Sequence, residues 1–204
     1  MGQYATNIRY LSSTLVYIIY IYKLTLALLV NIVYNSTMDK LQESYLESFI
    51  NLKGLLSQKV NRDSKADFLT FVKLMAPSLV SDFRMGSHIK VISNKLKELE
   101  DGEVKRLMVF LPPRSSKSVI CSKLFPAWYI GRNPTHEILT VSHSDQLSSD
   151  FGRSVRDLVN AEEFNKIFTG VQLRSDVRAA GKWKTNQGGT YYAAGVRSQI
   201  AGRG

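Results

Sequence analysis

The sequence is poor in the residues that build covalent or metal-held folds. It has one cysteine, Cys121, so no internal disulfide can form. Its three histidines, His88, His136 and His143, are scattered and have no second cysteine to work with. That spacing supports no zinc site. Internal repeats and low-complexity tracts are missing as well, which excludes solenoids and arrays. Residues 1–37 contain Arg9 and Lys23 but no acidic residue, unlike everything that follows.

What is present is a 204-residue chain with a formal net charge of +10 and a pI near 9.7. The length suffices for one domain with a sizeable core. The basic excess is spread along the chain rather than gathered in a tail. It suits a polyanionic partner such as DNA, and a solvated basic surface accounts for it equally well.

Residues 11–33, LSSTLVYIIYIYKLTLALLVNIV, form an apolar run whose only charge is Lys23. Length and apolarity make it a transmembrane candidate. It is too long for a signal peptide, and no small-residue cleavage site follows. Three readings compete: a membrane anchor, a buried hydrophobic helix, or upstream DNA translated from a start assigned too early. Met38 favours the last, because MDKLQESYLESFINLKGLLSQ reads like the start of a soluble protein. Leu41, Tyr45, Leu46, Phe49, Ile50 and Leu52 line one helical stripe there. The expected divisions are therefore 1–37, a helix and linker over 38–66, and a domain over 67–204.

Within 57–66, SQKVNRDSKA reads as a polar linker. A helix is expected over 67–77, stopped by Pro77, and another over 88–103, with Ile89, Ile92, Leu96 and Leu99 inward and Gly102 at its end. Arg106–Leu111 reads as a buried parallel strand. A helix should follow from Lys117, burying Val119, Ile120, Leu124 and Phe125. Pro126 should kink or restart it, and Gly131 and Pro134 should end it. EILTVS at 137–142 is a second strand. Ser144 is placed to cap the next helix, whose core stripe is Leu147, Phe151, Val155, Leu158 and Val159. Gly188-Gly189 reads as a hairpin turn. The order of elements predicts an α/β fold with a central, mainly parallel sheet preceded by helices.

The most informative segment is LMVFLPPRSSKS at 107–118. An apolar run, a turn, and a Lys-Ser pair opening a helix is an arrangement that holds nucleotide phosphates. Backbone N–H groups and the helix dipole face the anion, the lysine offsets its charge, and the hydroxyl ligates Mg²⁺. The usual pattern is G-x-x-x-x-G-K-[ST], the P-loop or Walker A motif, and Leu111 and Ser116 occupy its glycine positions. The alternative is an ordinary strand–turn–helix with an exposed lysine. Lys117 would contact the β- and γ-phosphates. Ser118 would coordinate Mg²⁺. Pro113, Arg114, Ser115 and Ser116 would complete the loop. For Arg114, a surface position on a turn competes with phosphate contact. A side chain at Ser116 should disfavour a left-handed backbone by roughly 1 kcal/mol.

LPPRSSKS, FPAWYIGRNP (125–134), SDFGRSVRDL (149–158) and KWKTNQGGTYYAAGVRSQIAGRG (182–204) occur in an order and spacing that resemble the ATPase domain of the large terminase subunit of tailed bacteriophages. The similarity covers roughly residues 66–204. It implies a P-loop NTPase-like fold, binding of ATP and Mg²⁺, and a share in viral genome packaging, in which ATP hydrolysis drives double-stranded DNA into a capsid. It also implies a portal, a small terminase subunit and further copies in a ring as partners, with action in the host cytoplasm. A membrane partner is not expected unless 11–33 is a genuine span. Arg203 matches a candidate arginine finger. Arg153 and Arg156 are lesser candidates, for which a solvated helix face competes. Phe83 and His88 fall where the family reads adenine. No apolar run ending in paired acids follows Ser118, and the family's nuclease domain is absent, so the expectation is a fragment that does not turn over ATP on its own. Two rival readings are a membrane-anchored nucleotide-binding protein and a basic DNA-binding fragment without a nucleotide site.

Overall fold

The structure is a computed structural model that describes residues 37–196, with side chains from residue 42 onward. The hydrophobic run at 11–33 and Arg203 lie outside the described residues. The chain divides into two compact units, Met1–Leu55 and Leu56–Gly204.

Helix α1 is Thr37–Ala66. Its part in the first unit carries Tyr45, Leu46, Phe49, Ile50 and Leu52, all exposed. The sequence reads 57–66 as a linker, but this stretch is helical. SQKVNRDSKA contains neither proline nor glycine, and polarity alone does not stop a helix.

In the second unit, α2 (Phe68–Leu79) and α3 (Ser87–Glu100) follow. Asp67 caps α2, its carboxylate accepting from the Thr70 N–H at 2.8 Å. Pro77 does not stop α2, which runs on to Leu79. α3 ends at Glu100, three residues short of the expected end, with Gly102 at φ +81° just beyond. Helix α4 (Lys117–Val119) passes into a π-helical turn, Ile120–Leu124, and then into α5, Phe125–Arg132. Pro126 explains the turn. It has no N–H to give, and its ring would crowd the carbonyl four residues back. The helix widens instead, and the Phe125 N–H reaches the Ile120 carbonyl. Of the expected kink or restart, the structure shows a π turn from which a new helical segment begins at Phe125.

Strand β1 (Glu137–Ser142), α6 (Asp145–Val159), α7 (Glu162–Ile167), β2 (Leu173–Ala179), β3 (Lys182–Thr185) and β4 (Thr190–Gly195) complete the unit. Ser144 caps α6 as its sequence predicts, accepting from the Leu147 N–H at 3.3 Å. Along α6, Val155, Leu158 and Val159 are buried, whereas Leu147 is exposed.

The sheet order is β1-β4-β3-β2. Among the described residues only β1 and β4 pair in parallel, and both other pairings are antiparallel. The fold is therefore mixed α/β with a four-stranded mixed sheet, and the expectation of a mainly parallel sheet is corrected. The cause is local: Ala180-Gly181 and Gln187-Gly188 make tight reversals that a helix crossover would not. The Gly188-Gly189 hairpin is where the sequence places it.

A second correction concerns 106–111. It belongs to no strand of the sheet. Leu107, Val109 and Leu111 pack against the core, while Met108 and Phe110 are each 79% exposed. The segment has the period-2 alternation of a strand without a ladder partner among the described residues.

The core lies between α2, α3, α5, α6 and the sheet. Phe68 packs on Trp128 and on Phe125, with ring centroids 5.2 and 5.4 Å apart. Phe71 meets Phe164 and Phe168. Trp183 and Tyr191, paired across β3 and β4, stack at 4.9 Å. Gly152 lets α6 approach the hairpin: a Cβ there would stand 2.1 Å from the Ala180 carbonyl oxygen. The same Gly152 carbonyl accepts from the Trp183 indole at 3.2 Å.

Candidate functional site

The site is built where the extended segment 106–111 hands the chain to the helical run that begins at Lys117. Pro112 and Pro113 fix the exit, since each locks its own φ and restrains the residue before it. Pro113, Arg114, Lys117 and Ser118 are exposed, and Ser115 and Ser116 are half-buried. The loop closes on itself through the Ser115 hydroxyl, which donates to the Pro112 carbonyl at 2.7 Å.

Two loop residues take left-handed backbones: Arg114 at φ 63° and Ser116 at φ 60°, ψ 13°. Ser116 thus adopts the left-handed backbone that its side chain disfavours. Each such residue costs on the order of 1–2 kcal/mol. A conformation that costly persists only where surrounding contacts hold it. A left-handed Ser116 followed by the right-handed, helical Lys117 turns successive N–H groups toward one side, the geometry of an anion-binding nest.

The helix starts immediately afterwards. The Ile120 N–H reaches the Ser116 carbonyl at 3.0 Å. The N–H groups of Lys117, Ser118 and Val119 therefore have no acceptor within the helix. Ser116 makes no side-chain cap to them. Three backbone donors, the Lys117 ammonium and the Ser118 hydroxyl are thus gathered at one helix start. That set suits a phosphate group. Behind the loop, Cys121 is half-buried in the π turn. Burial pushes its thiol up from the ordinary value, and the nearby Lys117 charge opposes the shift. The shift favours the neutral thiol over the thiolate.

The Ser118 hydroxyl would offer a Mg²⁺ ion a single protein oxygen. Mg²⁺ ordinarily adds carboxylate, water and substrate phosphate oxygens. Among the described residues no group of three His, Cys, Asp or Glu side chains could hold a metal. The donor set fits an ion that arrives with a nucleotide better than one held by protein alone.

His88 stands closer to the site than sequence reasoning places it. Its Nε2 lies 3.2 Å from the Ser115 carbonyl oxygen. A carbonyl only accepts, so Nε2–H is the donor. Phe83 is a partly buried core residue. His143 is exposed at the end of β1. Arg153 pairs with Asp150. Arg156 pairs with Asp157 and donates to the Arg178 carbonyl at 2.9 Å. Both are therefore engaged in their own surroundings. At the carboxyl end of β4, the Gly195 N–H donates to the Asp145 carboxylate at 2.7 Å, tying the start of α6 to the sheet.

No helix among the described residues is long and apolar enough to cross a membrane. Compared with known proteins, the chain matches no family model, no curated protein and no solved structure.

Proposed function

We propose that residues 112–118 bind the phosphates of ATP, and that the chain carries the nucleotide-binding part of a P-loop NTPase-like DNA-packaging motor of the large terminase type. The observation that carries the phosphate site is the left-handed backbone at Ser116 immediately before Lys117 and Ser118. A serine held in that conformation directly before a helix start needs an explanation, and presenting N–H groups to an anion supplies one. Lys117 offsets charge on the outer phosphates. Arg114, exposed on the same loop, lies within reach of the same anion or of solvent. Mg²⁺ accompanies the nucleotide and takes the Ser118 hydroxyl as one ligand.

The motor reading rests on the four segments that resemble the terminase family and on the basic net charge of +10. Double-stranded DNA, a portal, a small subunit and other copies of the chain are its proposed partners, in a host cytoplasm. Arg203 is its proposed arginine finger. Fluorescent ATP-analogue binding to the wild-type chain and to Lys117→Ala tests the phosphate site. A tenfold or greater loss of affinity is expected, and equal binding would reject the site.

A further inference from the structure

We infer that His88 is a positioning residue that holds the phosphate loop in its ligand-ready shape; the inference rests on the phosphate-site reading above. The observations are independent of the Lys-Ser motif. His88 lies at the second position of α3, 27 residues before Ser115 in sequence, yet its Nε2 reaches the Ser115 carbonyl at 3.2 Å. Ser115 sits between Arg114 and Ser116, the two non-glycine residues with positive φ among the described residues. The bond therefore grips the peptide unit linking Ser115 to Ser116, whose left-handed turn opens the helix. Relaxation of Ser116 to an ordinary backbone would rotate that peptide and break the bond. His88 thus opposes the intrinsic preference of a serine.

The local sequence makes room for this grip. Gly86, the residue before α3, lies under the imidazole: a Cβ there would stand 2.5 Å from His88 Cε1. Any larger residue at 86 would push the ring from its place. Ile89, next along, is fully buried and anchors the start of α3 in the core. The ring therefore stands on a fixed base, not on a mobile loop. Within the loop, the Ser115 hydroxyl holds the Pro112 carbonyl, so both polar ends of Ser115 are engaged. The two bonds together do what glycine's freedom does in the usual motif.

The test compares full-length wild type with His88→Phe and His88→Gln. Phenylalanine keeps the ring's bulk beside Gly86 and removes the donor, whereas glutamine restores an N–H at a similar reach. Amide hydrogen exchange at Ile120, whose N–H bonds the Ser116 carbonyl, is measured without nucleotide, and affinity for a fluorescent ATP analogue with Mg²⁺ is measured separately. Expected is about fivefold faster Ile120 exchange and about fivefold weaker binding in His88→Phe, the loss of one ordinary hydrogen bond, with glutamine restoring most of both. Unchanged exchange in His88→Phe overturns the inference. Faster exchange with unchanged affinity also overturns it, because the held shape would then not be the binding shape. A wild-type chain that binds no nucleotide rejects the phosphate site itself, and the exchange arm then still decides whether His88 holds the loop.

Discussion

Arg132 donates from Nε to the Glu100 carboxylate at 2.8 Å, and the Glu100 side chain is only 6% exposed. Asn133 and Lys97 reach the same carboxylate, at 3.3 and 3.2 Å. The Arg132 guanidinium also lies 5.0 Å from the Trp128 ring centre and donates to the Lys65 carbonyl. One arginine thus joins the end of α1, the end of α3 and the aromatic core. Arg132→Met should destabilise the domain by about 2 kcal/mol, below the usual 3–5 for a broken buried pair because Lys97 remains and Arg132 is partly solvated. Urea unfolding checks this. Glu100→Gln together with Arg132→Met should recover part of the loss, since no charge is then left unpaired.

Gly152→Ala should lower stability by about 2 kcal/mol, in the range for overpacking a tight contact. The added methyl would meet the Ala180 carbonyl 2.1 Å away, and backbone cannot move aside as a side chain can. Trp183 fluorescence should report it, because that indole donates to the Gly152 carbonyl.

Helices α2, α3 and α6 and strand β1 are legible in the sequence because their signals are local, whereas α7 (Glu162–Ile167) is not read there. Asp67 and Ser144 are side-chain caps, and Ile89, Ile92 and Leu96 repeat at helical spacing. Segment 106–111 is misread because strand alternation specifies a backbone shape, not a ladder partner. The mixed sheet is misread because the direction of β2 and β3 depends on two short turns. In the site, Lys117 and Ser118 are named by motif. His88 is not, since nothing local ties it to Ser115 across 27 residues; only Gly86 beside it hints at a crowded ring.

Phe110 and Met108 are each 79% exposed, and Leu139 and Val141 on edge strand β1 are 54% and 46% exposed. No described strand covers the outer edge of β1. Such edges template association. Phe110→Ser with Leu139→Lys should raise the monomer fraction in light scattering and leave the melting temperature within a few degrees.

Burial raises the Cys121 thiol and the Tyr191 phenol, with Lys117 and Thr140 respectively opposing it. Both groups are held in their neutral forms by the fold. Their contribution is complete below the unfolded-state values and is lost as pH rises through the higher folded-state ones. The melting temperature should therefore fall on the alkaline side, from about pH 9 upward. Cys121→Ala and Tyr191→Phe should flatten that fall.

The most direct test of the central claim is titration of a fluorescent ATP analogue with Mg²⁺ against the full chain, Lys117→Ala and Ser116→Gly. Lys117→Ala should bind at least tenfold more weakly, a loss of about 1.4 kcal/mol or more. Ser116→Gly should bind as well as wild type or better, because glycine takes the left-handed backbone without cost. Equal binding by wild type and Lys117→Ala, or no binding by the wild type, would contradict the account.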